Sequence, residues 1–374
     1  MESRSLSVMV EVRKELRDLE VYVPGKPIEE LQREMNLKHV VKLASNENAF
    51  GPSPKALAAL KSAIYNVNRY PDSSCYYLRR RLAGILGVDE GNLIFGNGSD
   101  ELIVLAVRAF LEAGDEVIIA DPTFLIYRIA SKAAGVKTVL VPLKGMRYDL
   151  EAMASKVSDR TRMIFIANPD NPTGTYVTKG EVEAFIEKVP EDILLFFDEA
   201  YYEYAKDDDY PDTMKYMGRG NIVTTRTFSK IYGLAGLRLG YGVADKKIID
   251  GMNKVREPFN VNLLAQEAAL AALDDEEYVR FVRAETDKGK KYLYSEFERL
   301  GLEYVPSATN FVLVKLGSNS EEIYQRLLSS GVIVRHMKAW GLGEYVRVTI
   351  GKDDENRFFI KTLETILKNS RRTT

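Results

Sequence analysis

Short apolar runs rich in β-branched and aromatic residues alternate with amphipathic stretches from about residue 92 to residue 244. NLIFG (92–96), DEVIIAD (115–121), VKTVLVPL (136–143), TRMIFIA (161–167), DILLFFD (192–198), NIVTTRT (221–227) and RLGYGVA (238–244) read as strands. Segments with helical periodicity lie between most of them, TKGEVEAFIEKV (178–189) among these. Strands that are apolar throughout and separated by helices predict an α/β fold, with a mostly parallel central sheet flanked by helices. Functional side chains in such a sheet gather at the carboxyl ends of the strands, where crevices form.

The pattern changes after about residue 257. A long charged helical stretch (274–301) precedes three strand-like runs, NFVLVKL, GVIVRHM and EYVRVTI, with helices expected near 320–330 and 353–368. This predicts a smaller α+β domain. The first forty or so residues have no place in the parallel sheet and are expected to join that domain. The resulting division is 42–257 for the large domain and 1–41 with 258–374 for the small one.

Composition narrows the chemistry. Hydrophobic residues make up 45% and charged residues 28%, as in an ordinary globular protein, and 52 basic against 54 acidic residues leave a formal charge of -2. That balance supplies no net attraction to nucleic acid or to an anionic membrane. A single cysteine, Cys75, excludes an intrachain disulfide and fits a reducing cytoplasm. Two histidines, His39 and His336, argue against a His-rich metal site, so no metal is expected. The N-terminal apolar run is too short for a signal segment, and no stretch has the length of a membrane span.

Four punctuated stretches carry candidate chemistry. In FGNGSDELI (95–103) a strand meets a Gly-rich turn and a helix starting near Ser99. Free backbone N–H groups at such a start attract an anion. An ordinary turn capped by Ser99 explains the same residues. ANPDNPTG (167–174) holds Asn171 in a rigid turn between prolines, and a structural Asx turn accounts for it nearly as well. ILLFFDEAYYEY (193–204) ends an apolar run on Asp198, a carboxylate that needs a partner at a buried sheet edge unless it caps a following helix. Tyr201 would then sit one turn along the same helical face. Finally TRTFSKIYGLAGLRLGY (225–241) sets Lys230 behind Thr227 and Ser229 and ahead of Arg238.

Asn171, Asp198 and Lys230 lie 27 and then 32 residues apart, the length of successive strand–helix units. All three can therefore converge on one crevice. A heterocycle with a protonatable ring nitrogen, a phenolic oxygen, an aldehyde and a phosphate would use every group named so far. Asp198 would pair with the ring nitrogen, Asn171 and Tyr201 with the ring oxygen, and Lys230 would form a Schiff base with the aldehyde. The 96–100 turn, Ser229 and Arg238 would hold the phosphate. That description fits pyridoxal 5′-phosphate.

The ordered run GNGSDE, NPDNPTG, DEAY and TFSKIYGLAGLRLGY resembles the class II, fold-type I pyridoxal-phosphate-dependent aminotransferases over nearly the whole chain. YVPGKPIEEL (22–31), LASNENAFGPSP (43–54) and NRYPD (68–72) bring it nearest to the histidinol-phosphate aminotransferase branch. The resemblance implies that Phe124 stacks on the cofactor ring. It gives the phosphate to the backbone of Ser99 and Asp100, to the hydroxyls of Thr227 and Ser229, and to Arg238. Tyr70 would reach the phosphate at the neighbouring subunit's site, which implies a homodimer with shared active sites. Arg347 would hold the amino donor's carboxylate, and Tyr22, Arg335 and Arg347 would surround the substrate phosphate beside Asn48. The implied reaction exchanges the amino group between L-histidinol phosphate and 2-oxoglutarate, in histidine biosynthesis. An aminotransferase of broad or aromatic specificity, or a decarboxylase of threonine phosphate, would share the cofactor set. Ala49 stands where the family has proline, which loosens a turn near the substrate. By position alone Arg335 and Arg347 belong to strands with a solvated alternating face, and Tyr70 is a turn aromatic.

Overall fold

The apolar runs of the sequence become one seven-stranded sheet in the computed structural model, which describes residues 10–17, 19, 21 and 24–370. In chain order the strands are β1 (Val41–Lys42), β2 (Leu93–Gly96), β3 (Glu116–Asp121), β4 (Lys137–Pro142), β5 (Thr161–Ala167), β6 (Leu194–Asp198) and β7 (Ile222–Thr227). They continue with β8 (Gly240–Ala244), β9 (Tyr304–Val305), β10 (Phe311–Lys315), β11 (Val332–Ile333), β12 (Arg335–His336) and β13 (Tyr345–Thr349). The large sheet has the order β2-β8-β7-β6-β5-β3-β4, and β8 alone runs antiparallel to its neighbours. Alternate residues of β2 show how the sheet is covered: Ile94 packs into one hydrophobic core, while Leu93 and Phe95 pack into another. Helices cover both, Ser99–Phe110 and Lys179–Lys188 on the first and Tyr76–Leu86 and Leu263–Leu273 on the second.

Register brings three chain segments together at the carboxyl edge. Ala167 ends β5 opposite Asp198, and Asp198 ends β6 opposite Thr225 of β7. Just beyond, Glu199 and Arg226 form a buried ion pair with guanidinium-to-carboxylate distances of 2.8 and 2.9 Å. Thr213 donates to the same carboxylate at 2.6 Å, and the Tyr202 ring lies 3.2 Å from the guanidinium carbon. The pair clamps the two backbones that carry Asp198 and Thr227.

The second sheet is antiparallel, in the order β12-β13-β10-β9. Val312, Val314, Val346 and Val348 face a core shared with Leu293, Phe297, Phe359 and Leu363 of the helices Glu276–Leu300 and Asp353–Ser370. Period-two alternation sends Leu313, Arg347 and Arg335 to the opposite face, and their register pairs them directly, Leu313 with Arg347 and Arg347 with Arg335. β1 pairs in parallel with β11, so Val41 and Leu43 enter this second core, and Leu31 of the helix Ile28–Met35 packs on Leu328 and Ile333.

Two sequence readings are revised. GVIVRHM does not form one strand: β11 pairs with β1 and β12 with β13, because the N-terminal segment claims the first half of the run. No α-helix follows Asp198; the chain turns and makes a single 3-10 turn at Tyr202–Tyr204, so Asp198 caps nothing.

Arg226→Met would leave Glu199 charged and buried without its cation, and we expect a loss of about 3–5 kcal/mol in urea unfolding. Adding Glu199→Gln should recover most of that loss.

Candidate active site

A cavity of about 260 Å³ opens at the carboxyl edge of β5, β6 and β7. Ser99, Asp100, Phe124, Asn171, Asp198, Tyr201, Thr227, Ser229, Lys230 and Arg238 all line it. Strand ends position Asp198 and Thr227, the first turn of a helix positions Ser99 and Asp100, the segment leading into β8 positions Arg238, and turns after strands position the others.

Asp198 lies at the floor and is 5% exposed. Tyr127 donates its hydroxyl to the carboxylate at 2.7 Å, and the Ala200 N–H donates at 3.2 Å. Burial pushes the carboxyl up to about 6, against the pull of these two donors and of the Lys230 charge. Burial and the Asp198 charge also raise the Tyr127 phenol, which therefore stays a neutral donor. Asp198 is thus a carboxylate served by neutral donors, and a cationic N–H is the partner its chemistry lacks.

A helix N-terminus and an arginine line another side of the cavity. The helix Ser99–Phe110 starts after Gly98, whose φ of +83° puts it in the left-handed region, and Ser99 is its first helical residue rather than its cap. A Cβ on Gly98 would stand 2.4 Å from a guanidinium nitrogen of Arg238, and one on Gly240 would stand 2.4 Å from the Ser99 nitrogen. Glycine at both positions lets Arg238 and β8 close on the helix N-terminus. Arg238 itself has φ +58° and lies 3.6 Å from the Asp100 carboxylate. Ser229 donates its backbone N–H to the Thr227 hydroxyl at 3.0 Å, which folds the turn before Lys230.

The third side joins the two sheets. Lys230 Nζ is 5.5 Å from the centroid of the Tyr201 ring, and the Tyr201 hydroxyl accepts a hydrogen bond from the Asn46 amide at 2.8 Å. Arg347, 6% exposed, donates to the Asn171 side-chain oxygen and, at 3.0 Å, to the Ala44 carbonyl. It occupies no solvated face. A lysine, a buried carboxylate and a helix N-terminus with an arginine therefore line one cavity, and an arginine from the second sheet reaches its wall through Asn171.

The chain is similar to known aminotransferases. The family model described as aminotransferase class I and II matches residues 38–363. The chain belongs to that family. It is 49% identical to the histidinol-phosphate aminotransferase of Moorella thermoacetica over 95% of its own length and 92% of that protein. It is 48% identical to histidinol-phosphate aminotransferase 2 of Carboxydothermus hydrogenoformans, over 96% and 99% of the two chains. Among solved structures it resembles histidinol-phosphate aminotransferase from Sinorhizobium meliloti in complex with pyridoxal-5′-phosphate, with a TM-score of 0.88, 30% identity and coverage of 97% and 100%.

Other expected residues of this aminotransferase lie elsewhere. Tyr70 is 83% exposed and stacks on Phe259 with ring centroids 4.7 Å apart, away from the cavity of its own chain. Asn48 donates to the Ile231 carbonyl at 2.8 Å and accepts from the Phe50 N–H at 2.9 Å, so it braces a turn and faces a neighbouring cleft with Ala49. Arg335 lies over the Trp340 ring at 5.1 Å, on the same strand face as Arg347. Tyr22 falls outside the described residues. Sequence reasoning missed Tyr127 and Asn46. Tyr127 had a signal, a lone phenol in an apolar helix three residues after Phe124, since a buried hydroxyl seeks a partner. Asn46 had none, because both groups that hold its side chain are more than a hundred residues away.

The ionised Asp198 should cost the cofactor-free protein stability. Its carboxyl, pushed up to about 6 in the fold, lies above the ordinary value of 3.8, so the folded state binds the extra proton between these values and stability falls as pH rises through them. Asp198→Asn should therefore raise the cofactor-free protein's stability at pH 8 by about 1–3 kcal/mol and flatten its decline between pH 4 and 6, as read from thermal unfolding in a pH series.

Proposed function

We propose that this aminotransferase works in the cytoplasm with pyridoxal 5′-phosphate, moving an amino group reversibly between L-histidinol phosphate and 2-oxoglutarate in histidine biosynthesis. The near full-length relation to proteins named histidinol-phosphate aminotransferase carries the reading of the substrate. The donor set of the cavity supports the cofactor. A buried carboxylate with neutral donors suits a protonated ring nitrogen, and the helix N-terminus with Arg238, Thr227 and Ser229 suits a phosphate. Phe124 would cover the ring face, and Asn171 and Tyr201 would meet the ring oxygen. Bound there, the cofactor supplies an aldehyde that takes up the amino group and a cationic ring that draws off negative charge from carbon.

The chain's own residues do the rest. Lys230 would hold the cofactor, and its free amine would carry the proton taken from the substrate's amine-bearing carbon. Asp198 keeps a proton on the ring nitrogen, which holds the ring cationic where charge develops. Arg347, with Arg335, Tyr22 and Asn48, binds the anionic end of either substrate and fixes its orientation. In this reading residues 42–257 form the cofactor domain, and 1–41 with 258–374 form the smaller one.

A second copy completes the site. Tyr65, Val67, Tyr70 and Tyr77 are 86%, 60%, 83% and 72% exposed, an unusual density of exposed apolar side chains along one stretch. A two-fold dimer through this surface would cover them and bring Tyr70 to the partner's phosphate site.

Glutamate and histidinol phosphate, each added alone to the cofactor-loaded protein, should convert its visible absorbance to that of the aminated cofactor. A response to aromatic amino acids without one to histidinol phosphate would replace the substrate assignment. Lys230→Ala and Tyr70→Ala chains, each impaired alone, should regain activity after being unfolded and refolded together, because one site of the mixed dimer then holds both native residues. No recovery would count against a shared site.

A further inference from the structure

We propose that Asn46 is a positioning residue that aims the Tyr201 hydroxyl proton into the cavity. The inference rests on the reading that Tyr201 donates to the cofactor's ring oxygen. A phenol has one hydrogen to donate and lone pairs to accept with. The Asn46 Nδ2 donates to Tyr201 Oη at 2.8 Å, so Asn46 takes up acceptor capacity and leaves the hydroxyl hydrogen to point elsewhere. Phe311 stands edge-on to the Tyr201 ring, with centroids 5.3 Å apart, and Lys230 is the cation over that ring. The hydrogen's polar destination is the cavity that Tyr201 lines.

The direction of the Asn46 amide is itself determined. The Asn46 backbone N–H donates to Thr349 Oγ1 at 2.9 Å, so that hydroxyl turns its own hydrogen to Asn46 Oδ1, at 3.2 Å. With Oδ1 engaged as an acceptor, only Nδ2 can face Tyr201. Asn310 holds the Asn46 carbonyl at 3.0 Å, and Asn46, Tyr201 and Thr349 are all buried. Asn46 also adopts φ +55°, a left-handed conformation that asparagine tolerates better than most residues. A chain of oriented bonds thus runs from β13, which carries Arg347, through Asn46 to Tyr201. Each member polarises the next, so a donor on Oη makes the phenol a better donor in turn.

The test reads the pH midpoint of the visible absorbance of the cofactor-loaded protein, without turnover. A ring oxygen that loses its donor holds a shared proton more tightly, so Tyr201→Phe should raise the midpoint. Asn46→Gly keeps the backbone conformation accessible and adds no charge. It should raise the midpoint in the same direction by about half a unit to one unit. Thr349→Val, which frees the amide to turn Oδ1 toward the phenol, should do the same. In the Tyr201→Phe background Asn46→Gly should add nothing, since the two act through one bond. A wild-type midpoint in both Asn46→Gly and Thr349→Val, with Tyr201→Phe shifted, would overturn the proposal, as would an undiminished Asn46→Gly shift in the Tyr201→Phe background. An unmoved midpoint in Tyr201→Phe would instead remove the underlying reading of Tyr201, and the proposal with it.

Discussion

A carboxylate buried at the end of β6 is the constraint around which the rest of the molecule is arranged. Asp198 is held by a phenol and a backbone N–H, neither of which repays the cost of keeping a charge out of water. Its environment pushes the carboxyl up to about 6, so the ionised form is strained at neutral pH. In the proposed reading a protonated ring nitrogen would relieve that strain, and only while the cofactor is bound. The free protein would then give up stability at this point in exchange for affinity and for a ring that stays cationic. The Glu199–Arg226 pair next door shows the contrast: there the charge is met within the chain, and the result is a rigid support for two strand ends rather than a site.

The site is also where two sheets with separate cores meet. The large sheet supplies Asp198, Lys230 and the helix N-terminus, and the small antiparallel sheet supplies Arg347. These are joined by polar contacts: Arg347 to Asn171 and to Ala44, and Asn46 to Tyr201 and Thr349. The segment 44–46 is therefore a shared hinge of hydrogen bonds between the strand that would bind substrate and the residues that would bind cofactor. Such contacts exchange partners at lower cost than packed apolar surface does, which suits a site that must admit and release two substrates in turn.

Much of this was legible along the chain, and the reasons are local. Strands β2, β3, β5 and β6 are nearly continuous apolar runs, because a strand covered on both faces has no polar side to show. Asn171, Asp198 and Lys230 stand at or just beyond the ends of β5, β6 and β7, so strand spacing alone brought them to one edge. Local reasoning failed where long-range pairing intervened. GVIVRHM was divided between β1 and β13, and the stretch after Asp198 turned instead of forming a helix. Gly98, not Ser99, precedes the helix beside the cavity, because Arg238 and β8 approach too closely there for a side chain. Alternation suggested a solvated face for Arg335 and Arg347, and Arg347 is buried instead. It could not say that Asn171 and Ala44 bury Arg347.

The sequence by itself determined which residue types stand at which strand ends, and hence the class of chemistry, because periodicity and strand spacing are properties of neighbours in the chain. Tertiary structure alone decided which groups touch. Tyr127 became the donor to Asp198 because its helix packs over β3 and β4 and its ring stacks on Phe165 of β5, and Asn46 became the partner of Tyr201 because β13 returns from three hundred residues away to orient its amide. A hydrogen bond has a length and a direction, and for residues so far apart both are properties of the packed fold.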